Sequence, residues 1–269
     1  GHLSWLTGRY EEALERYSEA KSIFDGLHLD RDAANISLSS IQSLIYLGRY
    51  EEAAEVAASA REVFREHDDP LGAARVDTNE ANAFHRQDRP DEALRLYLRA
   101  LDTFRSCGTP QDVATVLSNI AVCQIAVGAF DAAQNAYQEL ITHCRDHGMQ
   151  LLEVKGDYNI AYLHYLKGEY AEAIRLYQLT RERCLAIGED YHRAVSDLDQ
   201  AEIYLELNLS REARHLAHLA HGEFVKLKMG YEAAKALSYN ACAAYNDDKH
   251  VTGGMVSMET TRLVSMAKA

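Results

Sequence analysis

The sequence contains little proline, with only Pro70, Pro90 and Pro110 among its 269 residues. Because proline breaks helix interiors, this scarcity is compatible with many long helices, and all three prolines fall where we predict turns between helices. Long apolar runs are also missing, and none reaches the roughly 18 residues that cross a bilayer. The sequence therefore predicts no transmembrane segment.

Basic residues and cysteines are also few. The chain has 28 Lys and Arg against 41 Asp and Glu, which gives a net charge of -13 and a pI near 5.4. Nucleic acids and anionic membranes require clustered positive charge, so we expect neither as a partner. The five cysteines are an odd number without a CxxC pair, as in proteins of a reducing compartment, and we expect a cytoplasmic protein. Cys144 and Cys184 are interpreted as core residues.

Catalytic and metal-binding motifs are absent as well. The sequence has no HExxH, no phosphate-binding glycine loop and no GxSxG. His215, His218 and His221 recur at a helical spacing of three, and His143 and His147 at a spacing of four, so each group could place imidazoles on one helix face. A metal needs further ligands, and we predict no metal site, no cofactor and no enzymatic activity.

An internal repeat of 40 residues dominates what the sequence does contain. It is carried by alanine at Ala13, Ala53, Ala93, Ala133, Ala173 and Ala213, and by a second column of Phe24, Phe64, Phe104, Cys144, Cys184 and Phe224. Repetition at this period is typical of solenoids, in which stacked units bury a shared core. Residue 1 falls inside the first helix of its unit, so we expect the sequence to be part of a longer chain.

Each unit is predicted to form two helices. Asp69 before Pro70 and Thr109 before Pro110 have the pattern of a helix N-cap followed by proline at the first helical position. At the other end of the unit, glycine is expected to adopt the left-handed cap conformation at Gly108, Gly148 and Gly188. The same column contains His28, Asp68 and Lys228 in other units, so the glycine cap is not universal.

The local motif resembles that of tetratricopeptide repeats. A small residue, an aromatic residue and an alanine recur in GRYEEA at 8-13 and 48-53, GAFDAA at 128-133 and GEYAEA at 168-173, and a further aromatic column is formed by Tyr17, Tyr97, Tyr137 and Tyr177. The resemblance covers residues 1-249 and implies an all-α, right-handed solenoid of antiparallel helix pairs. Its period of 40 exceeds the familiar value of about 34. Such long repeats resemble bacterial signalling arrays, including those that precede CHAT peptidase domains.

Two other architectural expectations follow. HEAT-type repeats of about 40 to 47 residues are the alternative, although they do not explain the small-x-aromatic-x-x-Ala motif. We predict about six units over 1-249, the first truncated and a seventh partial, followed by a tail at 250-269. Met255, Val256, Met258, Leu263 and Met266 could give that tail one apolar helical face, which would allow self-association.

Asparagine forms a column in three consecutive first helices, at Asn79, Asn119 and Asn159. The resemblance implies that first helices line a concave face and that these asparagines form a ladder that binds a ligand's main chain. An amide side chain both donates and accepts hydrogen bonds, as binding to an extended peptide requires. The remaining predicted ligand-binding residues on this face are Arg75, Asn82, Arg86, Lys155, Tyr158 and Tyr162.

These residues predict a scaffold that binds an extended or helical segment of a partner protein in the concave groove. Arg75, Arg86 and Lys155 suggest a ligand that is acidic at the middle of the groove, whereas the sixth unit presents Asp199 and Glu202. The alternative function is a regulatory or sensor array that gates an attached effector such as a CHAT peptidase.

Overall fold

The computed structural model describes residues 1-252, and the side-chain surroundings of residues 1-246. Thirteen helices and no strand lie in that part of the chain: α1 (His2–Leu6), α2 (Tyr10–Gly26), α3 (Asp30–Tyr46), α4 (Tyr50–Glu66), α5 (Pro70–Arg86), α6 (Pro90–Cys107), α7 (Pro110–Ala126), α8 (Phe130–Asp146), α9 (Gln150–Leu166), α10 (Tyr170–Ile187), α11 (Asp190–Glu206), α12 (Ser210–Lys226) and α13 (Gly230–Thr252). The predicted all-α solenoid of helix pairs is confirmed. The apolar residues predicted for the tail, including Val256, lie outside the described residues.

The helices divide into two compact parts, each of which contains several 40-residue repeats. We call these parts the first unit and the second unit. The first comprises Gly1–His143 and the second begins at Cys144, so the boundary falls within α8. Within each unit, consecutive helices pack against one another and alternate helices also touch, as α3 touches α5 and α11 touches α13. None of the helices in residues 1-252 is both long and apolar enough to cross a membrane.

The repeated apolar columns form the core. All six alanines of the 40-residue column are at most 2 % exposed. Alanine is favoured there because a small side chain lets two helices approach closely. In the second column, Phe64, Phe104 and Phe224 are buried, and Cys144 and Cys184 are buried as free thiols, as predicted. Burial raises the pKa of the Cys184 thiol to about 11, so this side chain is a neutral core residue.

Both predicted N-caps are present. The Asp69 carboxylate accepts a hydrogen bond of 2.8 Å from the Gly72 backbone N–H. Thr109 forms a complete capping box with Asp112, since the Thr109 hydroxyl accepts from the Asp112 backbone N–H and the Asp112 carboxylate accepts from the Thr109 backbone N–H. Proline occupies the start of α5, α6 and α7, where its missing N–H costs no helical hydrogen bond.

The predicted glycine caps are partly wrong. Gly148 and Gly188 are left-handed, with φ of 67° and 72°, but Gly108 is extended with φ -83° and ψ 176°. Gly108 precedes the Thr109 cap, whose extended backbone leads directly into α7. A Cβ at Gly108 would lie 2.8 Å from the Cα atom of Phe104, so close packing excludes a side chain there.

Residues other than glycine also adopt the left-handed conformation in this column. His28, Asp68 and Lys228 adopt it with φ of 57°, 48° and 59°. Each accepts the strain of a positive φ because its backbone N–H closes the preceding helix, as the Asp68 N–H does on the Arg65 carbonyl at 3.2 Å. The helix terminus is therefore a property of the repeat geometry and tolerates several residue types.

Equivalent junctions between repeats contain either ionic or apolar contacts. In the first unit the buried Asp77 carboxylate accepts hydrogen bonds from Arg61 at 3.1 Å and from Arg99 at 2.7 Å. Leu101 and Leu117 occupy the two positions one repeat later that correspond to Arg61 and Asp77, and both are buried. The second unit again contains an arginine–aspartate contact at the equivalent positions.

That second ionic contact joins Arg181 to the buried Asp197. The Arg181 Nε atom donates to Asp197 Oδ1 at 2.7 Å, across the same offset of 16 residues that separates Arg61 from Asp77. The other oxygen of Asp197 is buried without a hydrogen-bond partner, and burial raises the pKa of this carboxyl group. The junctions are thus chemically different although their backbones repeat.

Candidate ligand-binding surfaces

A pocket of about 350 Å³ lies in the first unit, where it is lined mainly by α3, α5 and α7. Each of these is the first helix of its repeat. We call this pocket the first-unit pocket. It is lined by Trp5, Gln42, Ile45, Tyr46, Asn82, His85, Arg86, Tyr97, Asn119 and Val122. Three residues predicted from the sequence to bind a ligand, Asn82, Arg86 and Asn119, therefore meet at one site.

Asn79 is placed differently from these three. It is only 5 % exposed, its side-chain oxygen accepts a hydrogen bond from Gln42 Nε2, and its side-chain nitrogen donates to the Leu38 carbonyl, both at 3.2 Å. Both ends of the amide are thus bound to α3. In this conformation Asn79 joins two repeats and has no amide group available for a ligand's main chain.

Asn82 and Asn119 are held by a buried tyrosine. The Tyr97 hydroxyl donates to Asn82 Oδ1, and Asn119 Nδ2 approaches the same oxygen at 3.5 Å. Burial raises the pKa of Tyr97, so its hydroxyl is a protonated donor at neutral pH. With the Asn82 oxygen occupied in this way, the Asn82 side-chain nitrogen is the group that can donate to a ligand.

Arg86 supplies positive charge at the mouth of the pocket. Its guanidinium lies 4.3 Å above the Tyr46 ring, which in turn packs edge-on against Trp5 at 5.8 Å and stacks on Tyr10 at 4.9 Å. Arg86 forms no salt bridge within residues 1-143, and no carboxylate is among the ten lining residues. A cation on an aromatic platform is thereby left open to a partner.

Arg75 lies beside a smaller pocket of about 240 Å³ that Gln42 and Asn79 also line. Its guanidinium is 3.5 Å from the carboxylate of Asp112. The sequence predicted Arg75 as a basic group for the ligand, but its charge is partly balanced by the capping residue of the next first helix. Asp112 lies 37 residues further along the chain, the same offset that joins Gln42 to Asn79.

The predicted residues of the second unit lie along α9. Lys155, Tyr158, Asn159 and Tyr162 follow the helical spacing of three and four, so they share one face. Lys155 and Asn159 are half-buried, and Tyr162 is exposed with its ring 6.0 Å from that of Tyr165. The Tyr158 hydroxyl donates to Asp199 at 2.6 Å, so that group is already bound within the protein.

Asp199 is the centre of a second polar cluster. It accepts hydrogen bonds from Tyr158 and, at 3.3 Å, from Tyr177. Burial raises the pKa of the Asp199 carboxyl group, against the opposing effect of the two tyrosine hydroxyls. Glu202 beside it binds Lys235 at 3.3 Å. The acids that the sequence placed in the sixth repeat therefore join α9, α11 and α13 to one another.

Several residues of the first-unit pocket were not identified from the sequence. These are Trp5, Tyr46, His85 and Tyr97. A signal for Tyr97 was present, since it lies in the tyrosine column 22 residues before Asn119, and Tyr177 precedes Asp199 by the same number. Residues 1-246 contain no set of three or more His, Cys, Asp or Glu side chains that could hold a metal.

Family comparison identifies the class of repeat. Residues 72-146 match the family model described as tetratricopeptide repeat, which confirms the resemblance drawn from the motif. No curated protein sequence matches the chain. Residues 72-146 are thus of the tetratricopeptide-repeat type.

Solved structures show the same fold along nearly the whole chain. A Signal Transduction ATPase with Numerous Domains (STAND) protein with a tetratricopeptide repeat sensor, from Pyrococcus horikoshii, is similar at a TM-score of 0.78 and 16 % identity over 98 % of this chain. This chain spans only 40 % of that protein.

Two further structures resemble the chain. A Rap protein complexed with competence and sporulation factor has a TM-score of 0.62 and 13 % identity, and the match covers 95 % of this chain and 74 % of that one. The apo form of the quorum sensor NprR from B. thuringiensis has a TM-score of 0.61 and 15 % identity, with 98 % and 85 % covered. At these identities the likeness establishes the fold.

Proposed function

We propose that this chain is a protein-interaction module whose first helices bind an extended or helical segment of a partner protein. The observation that carries the proposal is the first-unit pocket, where Asn82, Asn119 and Arg86 meet beside aromatic side chains. Peptide-binding sites combine a few fixed polar groups with apolar walls in this way. In the second unit, Lys155, Asn159 and Tyr162 are the proposed contacts.

Three of the residues predicted from the sequence take a different part in this proposal. Asn79, Arg75 and Tyr158 already bind other side chains or backbone of the protein, so they act as ligand-binding residues only if those bonds exchange. Their first role is to fix the spacing of neighbouring helices. The proposed contact surface is accordingly shorter than a continuous asparagine ladder.

The related structures support a peptide or protein ligand by analogy. The Rap protein was solved in complex with competence and sporulation factor, and NprR is described as a quorum sensor. We extend this behaviour to the present chain as part of the proposal. The proposal includes no catalytic role and no cofactor. The buried free thiols support a reducing, cytoplasmic compartment.

A second candidate function is a sensor array that gates an attached effector, such as a CHAT peptidase. It is favoured by the STAND protein, in which tetratricopeptide repeats serve as the sensor of a larger chain. In that case, adding a peptide that binds the repeats should change the activity of the attached domain in the intact gene product. For a scaffold, peptide binding should leave such an activity unchanged.

Selection from a library of displayed random peptides tests the binding function. We expect enriched peptides to bind the wild-type chain, and the double variant Asn82→Ala/Asn119→Ala to weaken them by about tenfold, which is about 1.4 kcal/mol. Asn135→Ala/Gln138→Ala on the exposed face of α8 is the matched control and should bind as the wild type does. Failure to enrich any peptide, or equal binding by the pocket variant, would contradict the proposal.

A further inference from the structure

The charge distribution around the first-unit pocket is unusual for this protein. The chain has 41 acidic residues and a net charge of -13, yet none of the ten residues that line the pocket is acidic. Arg86 is the permanent cation there, and His85 on the same helix also lines the pocket. The pocket is therefore a local positive site in an acidic molecule.

Arg86 differs from the other arginines near the first helices of this unit. Arg75 lies 3.5 Å from Asp112, and Arg61 and Arg99 both bind Asp77. Arg86 instead rests on the Tyr46 ring without a carboxylate partner in residues 1-143. Its planar set of N–H donors suits the two oxygens of a carboxylate, and the aromatic platform restricts its orientation before a ligand arrives.

Asn82 adds a neutral donor one helical turn before Arg86. Its oxygen accepts from Tyr97 and lies near Asn119, so its side-chain nitrogen remains as the donor. Residues four apart on a helix share a face, which directs both donors to the same region of the pocket. A group that only accepts hydrogen bonds and carries negative charge satisfies both.

From these contacts we infer that the first-unit pocket binds the carboxylate of a glutamate or aspartate side chain in the partner segment, with Arg86 and Asn82 as donors. The inference rests on the proposed peptide-binding function and specifies its ligand chemistry. The net negative charge of the protein opposes such a ligand only weakly at close range, because physiological salt screens charges beyond about 8 Å. Contact with Arg86 therefore determines the preference for a carboxylate over a neutral side chain.

An array of twelve-residue peptides tests this preference. The peptides are random except for one position, which is fixed as Glu, Gln, Asp or Asn, and the full chain is the probe. For the best Glu peptide we expect a dissociation constant about tenfold lower than for its Gln analogue, because the pair differs only in the charge presented to Arg86. The difference should shrink as the salt concentration rises.

The variant Arg86→Gln tests whether Arg86 causes the preference for Glu peptides over Gln peptides. This exposed substitution should preserve the melting temperature and reduce the Glu-over-Gln ratio to about twofold or less. Arg95→Gln is the matched control, because Arg95 is an exposed arginine on α6 that changes the net charge equally and lies outside the pocket lining. It should keep the full ratio.

Fluorescence of the wild-type chain gives an independent measurement. Trp5 is the only tryptophan of the protein and lines the pocket, so the Glu peptide should change its emission at concentrations where the Gln peptide does not. Equal binding of Glu and Gln peptides would overturn the inference and leave the peptide-binding function intact. Absence of binding by every peptide would overturn both.

Discussion

The Tyr97 hydroxyl on α6 donates a hydrogen bond to the side-chain oxygen of Asn82 on α5, and so connects a buried side chain of α6 to the side of α5 that lines the first-unit pocket. The second unit has a comparable arrangement, in which the Tyr177 hydroxyl of α10 donates to Asp199 on α11. Buried tyrosines thus orient polar groups on first helices. Their aromatic rings contribute to the core at the same time.

Tyr97→Phe should reduce stability and loosen the first-unit pocket. Loss of a buried hydrogen bond between neutral groups costs about 0.5–1.5 kcal/mol. Urea unfolding monitored by circular dichroism measures this change. Tyr231→Phe is the control, since Tyr231 is 80 % exposed and its substitution should have almost no effect. Equal stability of the Tyr97 and Tyr231 variants would show that the hydroxyl contributes nothing net.

The alanine column gives a test of packing with an adjacent control. Ala53 is buried and Ala54, its neighbour in α4, is exposed. Ala53→Leu should destabilise the protein by about 1–3 kcal/mol, because the helix contact has no room for added methylene groups. Ala54→Leu should change the free energy of unfolding by less than about 0.5 kcal/mol. Similar effects of the two substitutions would be inconsistent with the assigned packing.

The junction between α4 and α5 should accept an apolar replacement. Asp77→Leu alone should cost about 1–3 kcal/mol, because it removes the buried carboxylate that binds both Arg61 and Arg99 and leaves Arg61 with Glu80 as its acidic partner. The double variant Arg61→Leu/Asp77→Leu copies Leu101 and Leu117 of the next repeat, and it should recover most of that loss. The urea midpoints of the wild type, the single variant and the double variant measure the loss and its recovery. A double variant less stable than Asp77→Leu would contradict this expectation.

Asp199→Asn should stabilise the protein at neutral pH. Burial raises the pKa of Asp199, so the unfolded chain releases this proton at a lower pH than the folded chain does. Stability from this group therefore falls as the pH rises from about 4, the unfolded carboxyl value, through the higher folded pKa. Asparagine removes the charge and retains an oxygen for a tyrosine hydroxyl. The gain over wild type should disappear towards about pH 3–4.

Glu153→Gln should behave in the opposite way. Burial alone would raise the pKa of Glu153, but hydrogen bonds from Arg183 and Arg145 outweigh it and lower the pKa. Its stabilising contribution is present above the unfolded pKa and is lost as the pH falls through the lower folded pKa. The variant should be less stable than wild type at pH 7, with the difference shrinking in acid. Urea titrations across this pH range should show opposite signs for the two variants.

The local features of the fold were predictable because they depend on neighbours in sequence. Asp69 and Thr109 cap their helices as their positions before proline indicate. Gly108 shows the limit of that reasoning, since residue type predicted a left-handed cap where the following Thr109 cap requires an extended chain. A turn that serves two helices at once is not determined by one residue.

The site was harder to predict because its hydrogen bonds cross between repeats. Asn79 was recognised as part of a column, but its bond to Gln42 joins two different columns 37 residues apart. Arg75 was recognised as a base, and its partner Asp112 is a helix cap that already had a structural role. The 40-residue period shows which residues are equivalent in different repeats. The packing of neighbouring repeats determines which of these columns contact one another.

The difference between the Arg61–Asp77 and the Leu101/Leu117 junctions also limits how the array can be rearranged. Deletion of the 40 residues 77-116 would keep every remaining alanine in phase, yet it would place Leu117 where Asp77 had opposed Arg61. A guanidinium would then face an apolar side chain. Segments of equal length are therefore not interchangeable at such boundaries, so these side chains distinguish repeats that the backbone symmetry alone would leave equivalent.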